Sequence, residues 1–239
     1  MSGLSGLWVY LAASPLLWLT ATLAAYVLAD RVSAACGRHP LANPVLLAVG
    51  LLAAVLLTTG TPYPTYFQGA QFVHFLLGPA TVALAVPLWR NRREVAQALL
   101  PLLAALLAGS VTAVVSAVGI AWAFGAPAPV LAAIAPKSVT AAIAMGVASQ
   151  LGGDPALTAT LVISTGILGA MMAWPLLGAL GVRDPAARGF AAGLAAHGIG
   201  TARAFQADPV AGSFAGIAMG LNGVVTAAIV PVVLRLFGL

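Results

Sequence analysis

Apolar stretches follow one another along the chain at 7–29, 41–59, 66–88, 95–124, 129–150, 156–180, 189–207 and 212–237. Gly and Pro punctuate the joins: HPLANP at 39–44, TPYPT at 61–65, APAP at 126–129, GGDP at 152–155 and RDP at 183–185. No Asp, Glu, Lys or Arg occurs in 1–29, 39–89, 95–136, 155–182 or 209–234. A helix needs about 20 consecutive apolar residues to cross a bilayer, and these runs supply them. A membrane β-barrel would alternate polar and apolar residues in strands of about ten, whereas these runs are continuous. The pattern predicts an all-α polytopic membrane protein of about 7–8 hydrophobic segments, some discontinuous or re-entrant. The connections are too short for a separate soluble domain, so 1–239 reads as one integral membrane domain.

Composition agrees. The chain is 62% hydrophobic and 6% charged, with a mean hydropathy of +1.06. A soluble domain carries about 25% charged residues, so this chain has too few to cover a surface in water. No Lys or Arg precedes Arg31, so a cleavable signal is not expected and the first segment should remain as a span. Cys36 is the only cysteine, which excludes an internal disulfide or a cysteine cluster.

The net charge of +5 lies mostly in short loops, where basic residues report topology rather than nucleic-acid binding. Arg31 and Arg38 in loop 30–39, with Arg90, Arg92 and Arg93 in loop 89–94, place both loops in the cytoplasm. Arg183 and Arg188 join that side only if 129–150 is re-entrant. An internal echo argues otherwise: VALAVPLWR at 82–90 resembles TAAIVPVVLR at 226–235, at an offset of 144 through Pro87 and Pro231. Repeats over 1–90 and 150–239, separated by two further spans, would be inverted as in many secondary transporters. Charge and echo disagree, and the orientation of the C-terminal half stays open on sequence alone.

Three stretches break the apolar pattern. In 61–87, Pro62 and Pro64 exclude regular helix at 61–64. Gln68, Gln71 and His74 then share one face of the next helix. They serve either as interhelical glue or as a site. In 135–146, Pro136 interrupts the segment and Lys137, Ser138 and Thr140 follow. A proline at a first helical position, with free N–H groups after it, makes an anion-attracting helix start. Lys137, the only lysine in the chain, lies where snorkelling to the interface is hard and charge is costly. PATV at 79–82 echoes PKSV at 136–139, pointing to a paired helix start at Pro79 and Thr81.

The third stretch is AAHGIGTARAF at 195–205. Gly193, Gly198 and Gly200 around His197 weaken a helix, by about 1 kcal/mol each relative to alanine. Irregular backbone at membrane depth is tolerated only where protein or a watery cavity meets its polar groups. Thr201 and Arg203 follow, then Asp208. The alternative is a surface loop in which Arg203 pairs with Asp208. All five acids, Asp30, Glu94, Asp154, Asp184 and Asp208, fall at segment ends or in loops. Lys137 and Arg203 therefore point to a substrate anion as their counter-charge. No H-E-x-x-H, G-x-S-x-G or phosphate-loop motif occurs, and His39, His74 and His197 fit no metal-ligand spacing. No enzymatic activity is expected.

These stretches resemble the LrgB family, also called CidB/LrgB. The likeness rests on TPYPTYFQGAQFVHFLLGPATVALAVPLWRNR, PKSVTAAIAMG with GGDPALTA, and AAHGIGTARAF with GIAMGLNGVVTA, and runs from about residue 40 to the C-terminus. The family is similar to the transport half of the plastid glycolate/glycerate translocator. The resemblance implies a secondary transporter of small monocarboxylates such as glycolate, glycerate, lactate or pyruvate in the cytoplasmic membrane. The alternative it carries is a holin/antiholin-like regulator of murein hydrolase export and lysis. By position it marks as substrate-binding Tyr66, Gln68, His74, Pro79 and Thr81, with Lys137, Ser138, Thr140, His197, Gly198, Thr201, Arg203 and Asn222. Where relatives carry acids just before the glycine pair at 152–153, this chain has Ser149 and Gln150, so no acid there is assigned a coupling role. The expected partners are a small organic anion, membrane lipid, a small LrgA-type membrane protein and further copies of the chain, with no nucleic acid. No cofactor is expected, and the coupling ion is H+ or Na+.

Overall fold

The computed structural model describes residues 14–83, 86, 89 and 92–238, and among these every regular element is helical. The chain divides into two compact units, 1–83 and 84–239.

The first unit contains α1 (Pro15–Ala35), a 3-10 turn (Pro40–Ala42), α2 (Pro44–Thr59), α3 (Tyr63–Phe75) and α4 (Leu77–Ala83). The segment expected at 7–29 is α1; residues 7–13 lie outside the described residues. The helix runs on through Asp30 and Arg31, and the Asp30 carboxylate pairs with Arg38 just beyond its end. α2 is capped by Asn43, whose Oδ1 accepts from the Val45 and Leu46 N–H groups at 2.9 and 3.2 Å.

The expectation that prolines exclude helix at 61–64 is corrected, because α3 begins at Tyr63 with Pro62 as its N-cap. Pro64 sits in the first turn, where a helical N–H has no acceptor four residues back, so its missing donor costs nothing. Gly69 lets α3 press its backbone against α1: a Cβ built there would lie 2.7 Å from the Leu19 nitrogen.

The second unit contains α5 (Arg92–Gln97), α6 (Leu99–Ala123), α7 (Ala128–Ile134), α8 (Ala141–Gln150), α9 (Pro155–Ala179), α10 (Pro185–Ala207) and α11 (Pro209–Leu236). α6, α9 and α11, like α1, are long and apolar enough to cross a membrane. Asp154, Asp184 and Asp208 each precede a first-turn proline and cap the helix that follows, with carboxylate-to-N–H distances of 2.7–2.9 Å. The loop acids are thus accounted for as N-caps. α6 and α11 run parallel. Their C-terminal halves share a core of Val114, Val118, Val230, Val233 and Leu234, and Trp122 meets Phe237 edge-on. Near their N-terminal halves, Leu106 packs with Phe214 and Ala218.

The remaining segments are hairpins. In 128–150 the chain enters as α7, turns at 135–140 and returns as α8. A Cβ built on Gly153 would lie 2.8 Å from the Ala133 nitrogen, which is possible only if the end of the segment returns beside its beginning. Ala128 and Leu151 accordingly line one cavity with Pro231 and Leu234, at the C-terminal end of α11. The arms are about 10 and 15 Å long at 1.5 Å per residue, half or less of a hydrocarbon core of about 30 Å. This is hairpin A.

α10 folds back on itself as well. Its helical geometry fails at Ala196 (φ −128°, ψ 18°) and His197 (φ 41°, ψ −131°), a conformation that favours glycine and costs of order 1–3 kcal/mol in other residues. Gly200 consequently meets the Ala192 carbonyl, eight residues back, where a straight helix would hold them about 12 Å apart. Arm 185–195 runs parallel to α11, with Gly189 against Ala211 and Gly193 against Ala215. Arm 198–207 runs back, with Thr201 beside Met219 and Phe205 against Gly212. Spaced four apart, Gly189 and Gly193 bring backbone onto backbone, the small-residue packing that joins helices in lipid. This is hairpin B. The segment expected at 189–207 is therefore a hairpin and not one continuous span. At the 144-residue offset it would be matched to the unbroken helix α2, so the two expected copies differ as elements.

Hairpin A opens at the C-terminal ends of α6 and α11, and hairpin B at their N-terminal ends. The latter end carries Arg92, Arg93, Arg183 and Arg188, the bias expected of a cytoplasmic end. Single cysteines at Phe124 and Ala156, flanking hairpin A in a Cys36→Ala background, are both expected to react with an impermeant thiol reagent applied outside. Cysteines at Arg183 and Ala207, flanking hairpin B, should react only after permeabilisation. Opposite labelling within either pair would show that segment to be a span.

Candidate functional site

The hairpin tips meet at the middle of the long helices. Ser110 stands near the centre of α6 and Asn222 near the centre of α11. Asn222 is fully buried. Its Nδ2 donates to the Ser138 carbonyl at 3.3 Å, in the tip of hairpin A, and to the Leu194 carbonyl at 3.0 Å, beside the tip of hairpin B. Its Oδ1 accepts from Ser110 Oγ at 2.7 Å and Thr226 Oγ1 at 2.9 Å.

Tip A is a run of turns. The Lys137 N–H donates to the Ile134 carbonyl at 3.1 Å and the Val139 N–H to Pro136 at 3.2 Å. The helix start expected at Pro136–Thr140 is shifted: Pro136 belongs to the turn, and α8 begins at Ala141 with Thr140 as N-cap. Thr140 makes no side-chain capping bond, so the first N–H groups of α8 face the tip without a side-chain acceptor. Ser138 is buried and Lys137 half-buried beside it. Among the described residues, Lys137 takes part in no ion pair.

Tip B is held by His197, which is 5% exposed. Its Nε2 lies 2.9 Å from the Val162 carbonyl of α9. A carbonyl only accepts, so Nε2 carries the proton there and a neutral ring leaves Nδ1 as its acceptor. Gly166 makes room for this ring. Thr201 Oγ1 donates to the His197 carbonyl at 2.8 Å, one turn back on the returning arm. Gly198 is open at its Cβ position apart from Met219 Sδ at 3.9 Å. Arg203 is half-buried, on the returning arm, about 9 Å along the helix from the break at 1.5 Å per residue.

Lys137, Ser138, Thr140, His197, Gly198, Thr201 and Asn222 thus lie on or against the two tips. The residues marked in the first unit form a separate set. Tyr66 packs edge-on against Trp18 at 5.9 Å and accepts from Thr22 Oγ1 at 3.3 Å. Gln68 and His74 are exposed on one side of α3, with His74 edge-on to Phe67. Pro79 and Thr81 lie within α4. A cavity of about 770 Å³ runs from Gln97 and Asp184 to Gly109 and Leu194. Leu102, Phe190 and Phe214 make its walls mostly apolar, and it carries no Lys or Arg.

Sequence reasoning missed Ser110, Thr226 and the Val162 and Leu194 carbonyls. A signal for the paired tips was present: LAA at 131–133 with TA at 140–141 is echoed by LAA at 194–196 with TA at 201–202.

Long apolar helices joined by half-membrane hairpins define a multi-pass α-helical membrane protein. The chain belongs to the LrgB-like family, whose model matches residues 22–236. It is 32% identical to holin-like protein CidB of Staphylococcus epidermidis over 199 residues, 83% of this chain and 87% of that one. It is 31% identical to holin-like protein CidB of Staphylococcus aureus over 222 residues, 93% and 96% of the two chains. An uncharacterized protein of Haemophilus influenzae is 34% identical over 194 residues, 81% and 84% of the two chains. No solved structure matches.

Proposed function

We propose that the protein is a secondary transporter of small monocarboxylates and that the anion is held between the two hairpin tips. The observation that carries this reading is the convergence of hairpins from opposite ends on one mid-membrane point, with Lys137 at that point. A charge at this depth is expensive without a counter-charge. The uncapped start of α8 beside it adds N–H donors and a positive helix end. Thr140, Gly198, Thr201 and Arg203 complete the proposed lining. No covalent chemistry is involved, and H+ or Na+ remains the proposed coupling ion.

The inverted relation typical of such carriers is proposed to lie within the second unit. α6 with hairpin A (99–150) and α9 with hairpin B (155–207) run in opposite directions and open to opposite ends, a symmetry suited to alternating access.

The names of the CidB relatives favour a second reading, a holin-like membrane regulator. It would act through a pore, with further copies or a small LrgA-type partner. Uptake of labelled glycolate, lactate or pyruvate into proteoliposomes separates the two. The transport reading predicts saturation and mutual competition among the acids. Non-saturable leakage that also releases an uncharged dye would favour the pore.

A further inference from the structure

Asn222 uses every hydrogen bond that an amide side chain possesses: two N–H donors and two lone pairs on one oxygen. The orientation of the amide follows from its partners. The Ser138 and Leu194 carbonyls only accept, so nitrogen faces them, and the Ser110 and Thr226 hydroxyls donate to the oxygen. With the side chain fully buried, no donor is left for the hydroxyl or keto group of a bound acid. The resemblance marks this residue as a ligand; its geometry gives it other work.

We infer that Asn222 is a positioning residue, a clamp that fixes the tips of both hairpins to α11 and acts on a bound anion only through them. The two Nδ2 bonds go to segments that enter from opposite ends of the unit. Neither tip can move relative to the other without breaking one of them. A buried carbonyl so released has no water to turn to, which makes the clamped arrangement cooperative. Ser110 and Thr226 orient the amide without touching either hairpin, so their loss should weaken the clamp far less than loss of the nitrogen. The inference rests on the transport reading only for its kinetic arm.

Hydrogen exchange on the purified full chain tests it, using Asn222→Leu, Asn222→Asp and Ser110→Ala. Asn222→Asp keeps an oxygen facing Ser110 and Thr226 but replaces the nitrogen that binds the hairpins. It carries the exchange test if the leucine variant is not recovered. Exchange at 135–140 and at 194–198 should rise together by at least about tenfold in the Asn222 variants and stay within about threefold in Ser110→Ala. Faster exchange confined to α11, or at one tip only, would overturn the clamp.

In the kinetic arm, Asn222→Leu should leave the Kd for lactate within about threefold while altering turnover, since a uniform binding contact would instead change affinity. A large rise in Kd with both tips still protected would make Asn222 a direct ligand and overturn the inference. If the wild-type protein carries none of the acids but both tips loosen together, the clamp stands and the transport reading falls.

Discussion

Lys137→Met is expected to lower saturable carboxylate uptake by about 10- to 100-fold, the loss of a charge-assisted contact worth about 1.5–3 kcal/mol. The protein should still fold. Lys137 is half-buried in a turn held by backbone bonds from Lys137 to Ile134 and from Val139 to Pro136, and methionine keeps the length of the side chain while removing a costly charge. Uptake at the wild-type rate, with normal yield, would remove Lys137 from the site. The same assay shows whether Arg203 shares the anion. In a double-mutant cycle with Arg203→Gln, a common ligand predicts a coupling of at least about 1 kcal/mol, and independent roles predict additivity.

Gly193→Leu is expected to fail structurally. The Gly193 backbone lies on the Ala215 carbonyl, so any side chain there must force hairpin B away from α11. Overpacking typically costs about 1–3 kcal/mol, and relief is difficult where the neighbour is backbone. The variant should show a lower melting temperature and a smaller monodisperse fraction in detergent. Gly220→Ala, with nothing near its Cβ position, should behave as wild type. Equal stability of the two variants would contradict the backbone-to-backbone packing.

How much of this was legible in the sequence differs by element. The long spans α6, α9 and α11 follow from uninterrupted apolar runs, and the starts of α9 and α11 from the Asp-Pro pairs at 154–155 and 208–209. The break in AAHGIGTARAF was legible from its glycines, but the reversal at His197 was not. A bend and a full turn have the same local composition; contacts distant in sequence, such as Gly200 with Ala192, decide between them. Re-entrance of 129–150 was one of two readings left open by charge and repeat, and Gly153 against Ala133 resolves it. Lys137 and Ser138 stood out because polar residues in apolar runs are rare. Asn222 was marked only by the family resemblance, and as a substrate ligand, since a single amide in a helix says nothing about its partners until Ser110, Ser138, Leu194 and Thr226 are brought around it.

The most direct test of the proposed anion site is substrate protection at tip A. A single cysteine at Thr140, in a Cys36→Ala background, is positioned at the uncapped start of α8. A small thiol reagent should modify it in proteoliposomes, and saturating lactate should slow the reaction by several-fold, about the factor expected when a bound anion covers the helix end. The uncharged amide lactamide at the same concentration should give no protection. Equal labelling rates with lactate, with lactamide and with neither would contradict a carboxylate site at the meeting point of the hairpins.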